Sequence, residues 1–255
     1  MISFDIIGSR EKAVAIVEIP EEKEKKEIEI AKRIMKKHKN VKSVLKKTSE
    51  RKGTFRLREL KLITGEENTE VLHVESGCKF KLDPKKVYFS PREGTERLRI
   101  SGMAKPEETI LVMFAGVGPF PIIIAKKQPL IRKIIAVEIN PEAYRYMVEN
   151  VRLNKVAHKV IPLLGDVREE CKDWYGKCDR VIMPLPHEAE DFLDIAIRCL
   201  KKKGVIHLYV IEREEKITER AKNIIKKMKK KVEYRVRKIL PYAPRTNKYC
   251  LDIFF

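Results

Sequence analysis

From Thr109 onward, short apolar runs alternate with helix-length amphipathic segments, and this alternation constrains the fold more than any other feature of the chain. The runs are TILVMF (109–114), KIIAVEI (133–139), KVIPLLG (159–165), DRVIMPLP (179–186) and GVIHLYVIE (204–212). They are apolar nearly throughout rather than on every second residue, as strands covered on both faces are. An apolar helix after Pro119, PEAYRYMVENVRLNK (141–155), a short helix around REECKDW (168–174) and EAEDFLDIAIRCLKKK (188–203) separate them, and the basic KITERAKNIIKKMKKK (216–231) follows. A helix containing TERLRISGM (95–103) precedes the first run. The order predicts an α/β fold, a mostly parallel sheet with helices on both faces. EYRVRKILPY and KYCLDIFF close the chain with no helix between them, which predicts an antiparallel hairpin at the carboxyl edge.

The first ~85 residues read differently. KAVAIVEIP is a short strand ending at Pro20, and EEKEKKEIEIAKRIMKKHKN is a charged helix with a thin stripe of Ile28, Ile30, Ile34 and Met35. VKSVLKKT, FRLRELKLITG and TEVLHVESGCKFKLD are strand candidates. The second changes phase between Leu57 and Leu60, which places a bulge near Glu59. Asp83-Pro84 then punctuates the chain, dividing it into a small α+β domain, 1–84, and a larger domain, 85–255.

The net charge is +19, from 56 Lys and Arg against 37 Asp and Glu. Such an excess either suits a polyanionic partner, nucleic acid above all, or serves solubility. The basic helix 216–231 and the charged amino-terminal helix are the surfaces that phosphates would meet. The five cysteines, Cys78, Cys171, Cys178, Cys199 and Cys250, include no C-x-x-C pair, so they read as packing thiols rather than metal ligands. The amino terminus lacks the layout of an export signal and no apolar run approaches the ~20 residues of a membrane span, which points to the cytoplasm.

Three consecutive strand ends carry the functional signal. Gly116 and Gly118 follow the first strand, Glu138 ends the second and Asp166 ends the third. In a doubly wound sheet, ligands lie at the carboxyl ends of the strands. Small residues let backbone approach a ligand, and a carboxylate about 20 residues on takes ribose hydroxyls. Glu138 is either that ligand or a solvated strand-end carboxylate; Asp166 either sits beside an adenine or caps the helix that follows it. Pro119 and Phe120 give the turn an apolar opening with little to offer a diphosphate. S-adenosyl-L-methionine, a nucleoside cofactor without phosphate, fits better.

MFAGVGPF, EINPEAYRYMVENVRLNK, YFSPREGTERLR and PYAPR together resemble the archaeal and eukaryotic tRNA guanosine-37 N1-methyltransferases. A sister family transfers an aminocarboxypropyl group from the same cofactor in wybutosine synthesis. The resemblance runs from about Phe55 to the end of the chain. It implies a class I methyltransferase domain, Rossmann-like, that methylates N1 of guanosine 37 beside the anticodon, acting as a monomer without metal. Longer family members carry a further amino-terminal domain on the tRNA outer corner, for which a chain of this length leaves no room. GVGPF and the arginines of FSPR and YAPR favour the methyltransferase branch. A non-catalytic tRNA-binding homologue is the third reading.

By that resemblance Glu96 is the general base and Arg56 stabilises the target guanine. Arg92, Pro184 and Arg245 lie against the tRNA. Arg97, Phe114, Ala115, Gly116, Val117, Gly118, Glu138, Ile139, Asp166 and Val167 surround the cofactor. His187 and His207 are expected to be structural. Two positions depart from the family's pattern. Pro184 stands where an asparagine usually holds the guanine edge, and proline has no side-chain donor. Val112 stands where an aspartate is common.

Overall fold

The structure, a computed structural model, describes residues 2–49, 53, 55 and 57–255. The Arg56 of the expected catalytic pair therefore lies outside the described residues. The chain begins with β1 (Phe4–Gly8), β2 (Ala13–Val17), α1 (Glu27–Lys37), β3 (Val41–Lys47) and β4 (Leu60–Gly65), forming a sheet in the order β1-β2-β3-β4. α1 carries the chain across the sheet, so β2 and β3 run parallel while the outer pairs are antiparallel. Period-two patterning splits β2 between two cores: Ala13, Ala15 and Val17 meet Ala31 and Ile34 of α1, whereas Val14 joins Ile7 and Leu45 on the other face. The irregularity expected near Glu59 falls instead at Ile63, between the pairs Val44–Thr64 and Leu45–Leu62.

The segment that reads as one strand before Asp83 is a hairpin of β5 (Val71–Glu75) and β6 (Cys78–Leu82). Its turn, Ser76-Gly77, has positive φ at both residues, 54° and 80°, the twist that a two-residue connection needs.

The second large sheet follows α2 (Gly94–Met103). Along the chain come β7 (Thr109–Val112), α3 (Pro119–Lys127), β8 (Lys133–Glu138), α4 (Pro141–Leu153), β9 (Val160–Leu164), α5 (Val167–Glu170), β10 (Cys178–Met183), α6 (Leu193–Cys199), β11 (Leu200–Arg213), α7 (Ile217–Lys227), β12 (Glu233–Ala243) and β13 (Thr246–Phe254). The strand order is β12-β13-β11-β10-β7-β8-β9. The five strands from β11 to β9 are parallel, and β13 and β12 add the antiparallel edge expected from the sequence. Alternate residues of β7 serve opposite faces. Ile110 and Val112 pack with Ile100 of α2, Ile122 of α3 and Met147 of α4. Leu111 packs with Val167 of α5, Ala196 of α6 and Ile224 of α7.

The helix expected to run through Lys203 stops at Cys199. Leu200 is extended, pairs with Cys178 and buries its side chain, so Lys201–Lys203 are strand residues facing solvent. Asn150 of α4 and Asn154, the residue that caps it, bond to backbone groups of Lys81 and Lys79, fastening the β5–β6 hairpin to the large sheet. Among the described residues no helix is long and apolar enough to cross a membrane.

Candidate active site

The chain reverses its direction of winding between β7 and β10, and the turns after these two strands build the site. After β7, Phe114, Gly116 and Gly118 all have positive φ, at 57°, 58° and 87°. Gly118 is the left-handed cap of α3, and a Cβ there would lie 3.0 Å from Met147 Cγ. Pro119 opens the helix at a position where its missing N–H costs nothing. The Gly116 N–H donates to Glu138 Oε2 at 2.6 Å, and the Asn140 N–H donates to Oε1 at 2.8 Å. Burial raises the Glu138 pKa, partly offset by these backbone donors. Asp166 is the cap of α5, accepting from the Arg168 N–H at 2.8 Å and pairing with its guanidinium at 2.9 Å.

These turns enclose a cavity of about 430 Å3. Phe114, Ile139, Asp166, Val167, Leu185 and Phe192 line it, so Asp166 caps α5 and faces this space as well. Phe114 meets Phe192 edge-on at 5.0 Å. Ala115 and Val117 are buried in the turn itself. The walls are mixed, with apolar Phe114, Ile139, Val167, Leu185 and Phe192 beside Asp166, Arg168 and Glu188, and Arg168 is paired with Asp166. That lining fits a nucleoside such as the adenosine of S-adenosyl-L-methionine.

A second cleft, about 420 Å3, lies between the amino-terminal sheet and the hairpin end of β12 and β13. Tyr88, Arg92, Glu93, Pro186, Tyr242 and Lys248 line it. Leu185 and Pro186 are consecutive, yet Leu185 faces the first cavity and Pro186 the second. The turn after β10, beginning with the half-buried Pro184, thus contributes to both spaces. Arg92 reaches back to Asp5 at 2.5 Å and to the Ser3 hydroxyl at 3.3 Å. Arg245 is exposed in the β12–β13 turn with φ of 55°.

Glu96, in the first turn of α2, is buried and fully engaged. Arg99 donates to both its oxygens at 2.7 Å, and the Tyr209 hydroxyl donates at 2.5 Å. Arg99 also forks onto Asp252. The His207 Nδ1–H donates to Asp252 at 2.6 Å, and its Nε2 accepts from Arg180 at 2.6 Å. Arg180 in turn grips Glu108 with two bonds of 2.9 Å. Desolvation keeps His207 neutral, with Arg180 beside it adding to the effect, consistent with that tautomer. Burial opposes ionisation of Asp252, but the His207 and Arg99 bonds prevail and hold its carboxyl below the usual range. His207, Cys250 and Asp252 offer ligand atoms within 4.8 Å of one another, but two guanidinium groups already bond into this cluster.

Sequence reasoning misses this network, because its members are neighbours only after β11 and β13 pair. It also misses the ion pair of Glu93 with Lys248, 2.9 Å apart in the second cleft. Arg97, expected at the cofactor, is instead spent on Glu75, with two bonds of 2.7 and 2.6 Å, and on the Ser90 carbonyl at 2.8 Å. These bonds tie α2 to β5.

The geometry agrees with three comparisons. The TRM5/TYW2 methyltransferase domain matches residues 71–237, and the TYW2 N-terminal domain matches residues 2–69. The chain is 46% identical over 255 residues to the tRNA (guanine(37)-N(1))-methyltransferase Trm5b of Pyrococcus abyssi, across 98% of this chain and 74% of that protein. The crystal structure of Pyrococcus abyssi Trm5b superposes with a TM-score of 0.85 at 45% identity, over 99% of this chain and 74% of the other. The chain is also 40% identical over 221 residues to the tRNA(Phe) (4-demethylwyosine(37)-C(7)) aminocarboxypropyltransferase of Methanocaldococcus jannaschii, across 84% of this chain and 86% of that protein. The crystal structure of M. jannaschii TYW2 in complex with AdoMet has a TM-score of 0.74 and 32% identity, over 99% of each chain. With both of its family domains matched in order and its cavities where such a fold places them, the chain belongs to the TRM5/TYW2 family of methyltransferases.

Proposed function

We propose that the chain is an S-adenosyl-L-methionine-dependent tRNA methyltransferase acting on N1 of guanosine 37, in the cytoplasm. The observation that carries this reading is the pair Leu185–Pro186, of which Leu185 lines the nucleoside cavity and Pro186 the charged cleft that also holds Tyr88 and Tyr242. Similarity to Trm5b along nearly the whole chain supports the choice of base and atom.

The cofactor supplies a methyl group already activated by its sulfonium, so no metal is required. Glu138, fixed by the Gly116 and Asn140 N–H groups, faces the ribose hydroxyls. Phe114, Ile139, Val167 and Phe192 take the adenine, with Asp166 at its edge. Guanine N1 carries a proton at neutral pH and becomes nucleophilic as that proton leaves. Glu96 is the proposed acceptor of the proton. On entry of the base it exchanges the Tyr209 hydroxyl and the Arg99 fork for the substrate. Arg56 is the cation proposed to stabilise the charge that develops; Gly53, three residues before it, lines the nucleoside cavity. Arg92 at the cleft and Arg245 in the exposed β12–β13 turn are the proposed phosphate contacts, and Ser3, Asp5, Glu18 and Lys47 line the cleft from the amino-terminal sheet.

The match of residues 2–69 to a TYW2 amino-terminal domain favours a second reading, aminocarboxypropyl transfer from the same cofactor. Incubation with unmodified tRNA transcripts carrying G or A at position 37, and with tRNA carrying 4-demethylwyosine there, followed by mass analysis of the nucleosides, decides between them. A methylated guanosine from the G transcript supports the first reading; a larger added group establishes the second.

A further inference from the structure

We infer that Asp252 is a positioning residue for the proton transfer: it holds Arg99 in place and keeps its charge compensated while Glu96 gives up its own. The inference rests on the activity proposed above. Glu96 and Asp252 grip two edges of one guanidinium. Arg99 Nε and Nη2 donate to the Glu96 oxygens at 2.7 Å each, while Nη1 and Nη2 donate to Asp252 at 2.7 and 3.1 Å. The Glu96 and Asp252 side chains are 4% and 5% exposed, so little water shares in the pairing. Asp252 is itself fixed from β11, where the His207 Nδ1–H donates to it at 2.6 Å.

The hydrogen-bonded chain from Glu96 to Glu108 sets three carboxylates, Glu96, Asp252 and Glu108, against two guanidinium groups, Arg99 and Arg180. His207, between Asp252 and Arg180, is neutral, and burial keeps the Tyr209 hydroxyl and the Cys250 thiol beside the chain protonated. The chain therefore carries one net negative charge at rest. When the guanine proton moves from N1 to a Glu96 oxygen, the electron pair stays on N1 for the methyl group, and the buried charges come into balance. Arg99 is then neutralised by Asp252 alone, held by the edge that Glu96 does not use. Without Asp252, the same proton transfer would leave Arg99 buried with no counter-charge, which is costly. At rest Glu96 would be bound one-to-one to Arg99 and less free to turn to the base.

Single-turnover methylation of a transcript with guanosine at position 37 reads the effect. Asp252→Asn, which keeps the shape of the side chain, is expected to slow it about 10- to 100-fold, while affinities for S-adenosyl-L-methionine and tRNA stay within about threefold of wild type. In a Glu96→Gln background the same substitution is expected to cost less than about threefold, because no proton acceptor remains for Asp252 to assist. Equal losses in the two backgrounds overturn the assignment, since damage to packing acts with or without the base. An Asp252→Asn rate within about twofold of wild type overturns it as well and leaves the activity standing. If Asp252→Asn does not fold, Asp252→Glu decides: it keeps the charge on β13 and is expected to react within about tenfold of wild type. A larger loss in folded Asp252→Glu overturns the assignment. A wild-type enzyme that leaves guanosine 37 unmethylated overturns the proposed activity and takes this assignment with it.

Discussion

The Glu138 carboxylate accepts the Gly116 N–H at 2.6 Å, tying the end of β8 to the turn that follows β7. Its other oxygen is held by Asn140, so the side chain has one orientation. Glu138→Gln replaces one acceptor with a donor facing an N–H. Cofactor affinity measured by calorimetry is expected to fall about 10- to 100-fold. An affinity within twofold of wild type removes Glu138 from the ribose site.

Glu96→Gln keeps the shape of the side chain and one acceptor for Arg99, but gives up the basicity. Turnover is expected to drop by about 10²–10⁴ while tRNA and cofactor binding stay within a few-fold. Single-turnover rates separate the two effects. A rate near wild type assigns the proton to another group.

Arg180 is 1% exposed and has partners on three sides: Glu108, His207 and the Met103 carbonyl. Arg180→Met leaves Glu108 buried without its counter-charge. Denaturant unfolding is expected to show a loss of about 3–5 kcal/mol. A loss below about 1 kcal/mol would mean that the network carries no net stability.

Asp252 has a folded pKa below its reference value of 3.8; burial works against this, and the bonds from His207 and Arg99 outweigh it. The unfolded chain takes up that proton first as pH falls, so acid favours unfolding. The stabilisation is complete above the unfolded pKa and is lost as pH drops towards the folded one. The stability gap between wild type and Asp252→Asn is therefore expected to narrow below about pH 4. Urea unfolding across that range checks it, and a gap independent of pH refutes it.

Arg245 projects from the β12–β13 turn without an ion-pair partner among the described residues. If it meets a phosphate, Arg245→Ala weakens tRNA binding and reduces the salt slope of log K by about 0.7–0.9. An unchanged slope places the tRNA backbone elsewhere.

The parallel sheet is legible in the sequence because each of its strands is apolar on both faces, and Ile110, Leu111 and Val112 do go to alternate cores. The glycine turn, Glu138 and Asp166 are legible because strand ends in such a sheet converge on one side. The Ser76-Gly77 hairpin escapes notice because two short strands joined by two residues look like one longer strand. Lys201–Lys203 pass for helix because solvent-facing lysines carry no period, and only the pairing of Leu200 with Cys178 fixes them as strand. The Glu93–Lys248 pair and the chain from Glu96 to Glu108 have no signature in the sequence at all. Their partners come from opposite ends of the domain, and a buried charge looks like any other charge until its neighbours are known. Arg97 shows the same effect: its motif suggests a ligand, and Glu75 captures it.

Leu185 and Pro186 give the molecule a shared partition. A shift of that peptide towards one space moves the wall offered to the other. Whatever free energy the methyl donor's arrival adds to or takes from the grip on tRNA must appear, equal in size, when the order of arrival is reversed.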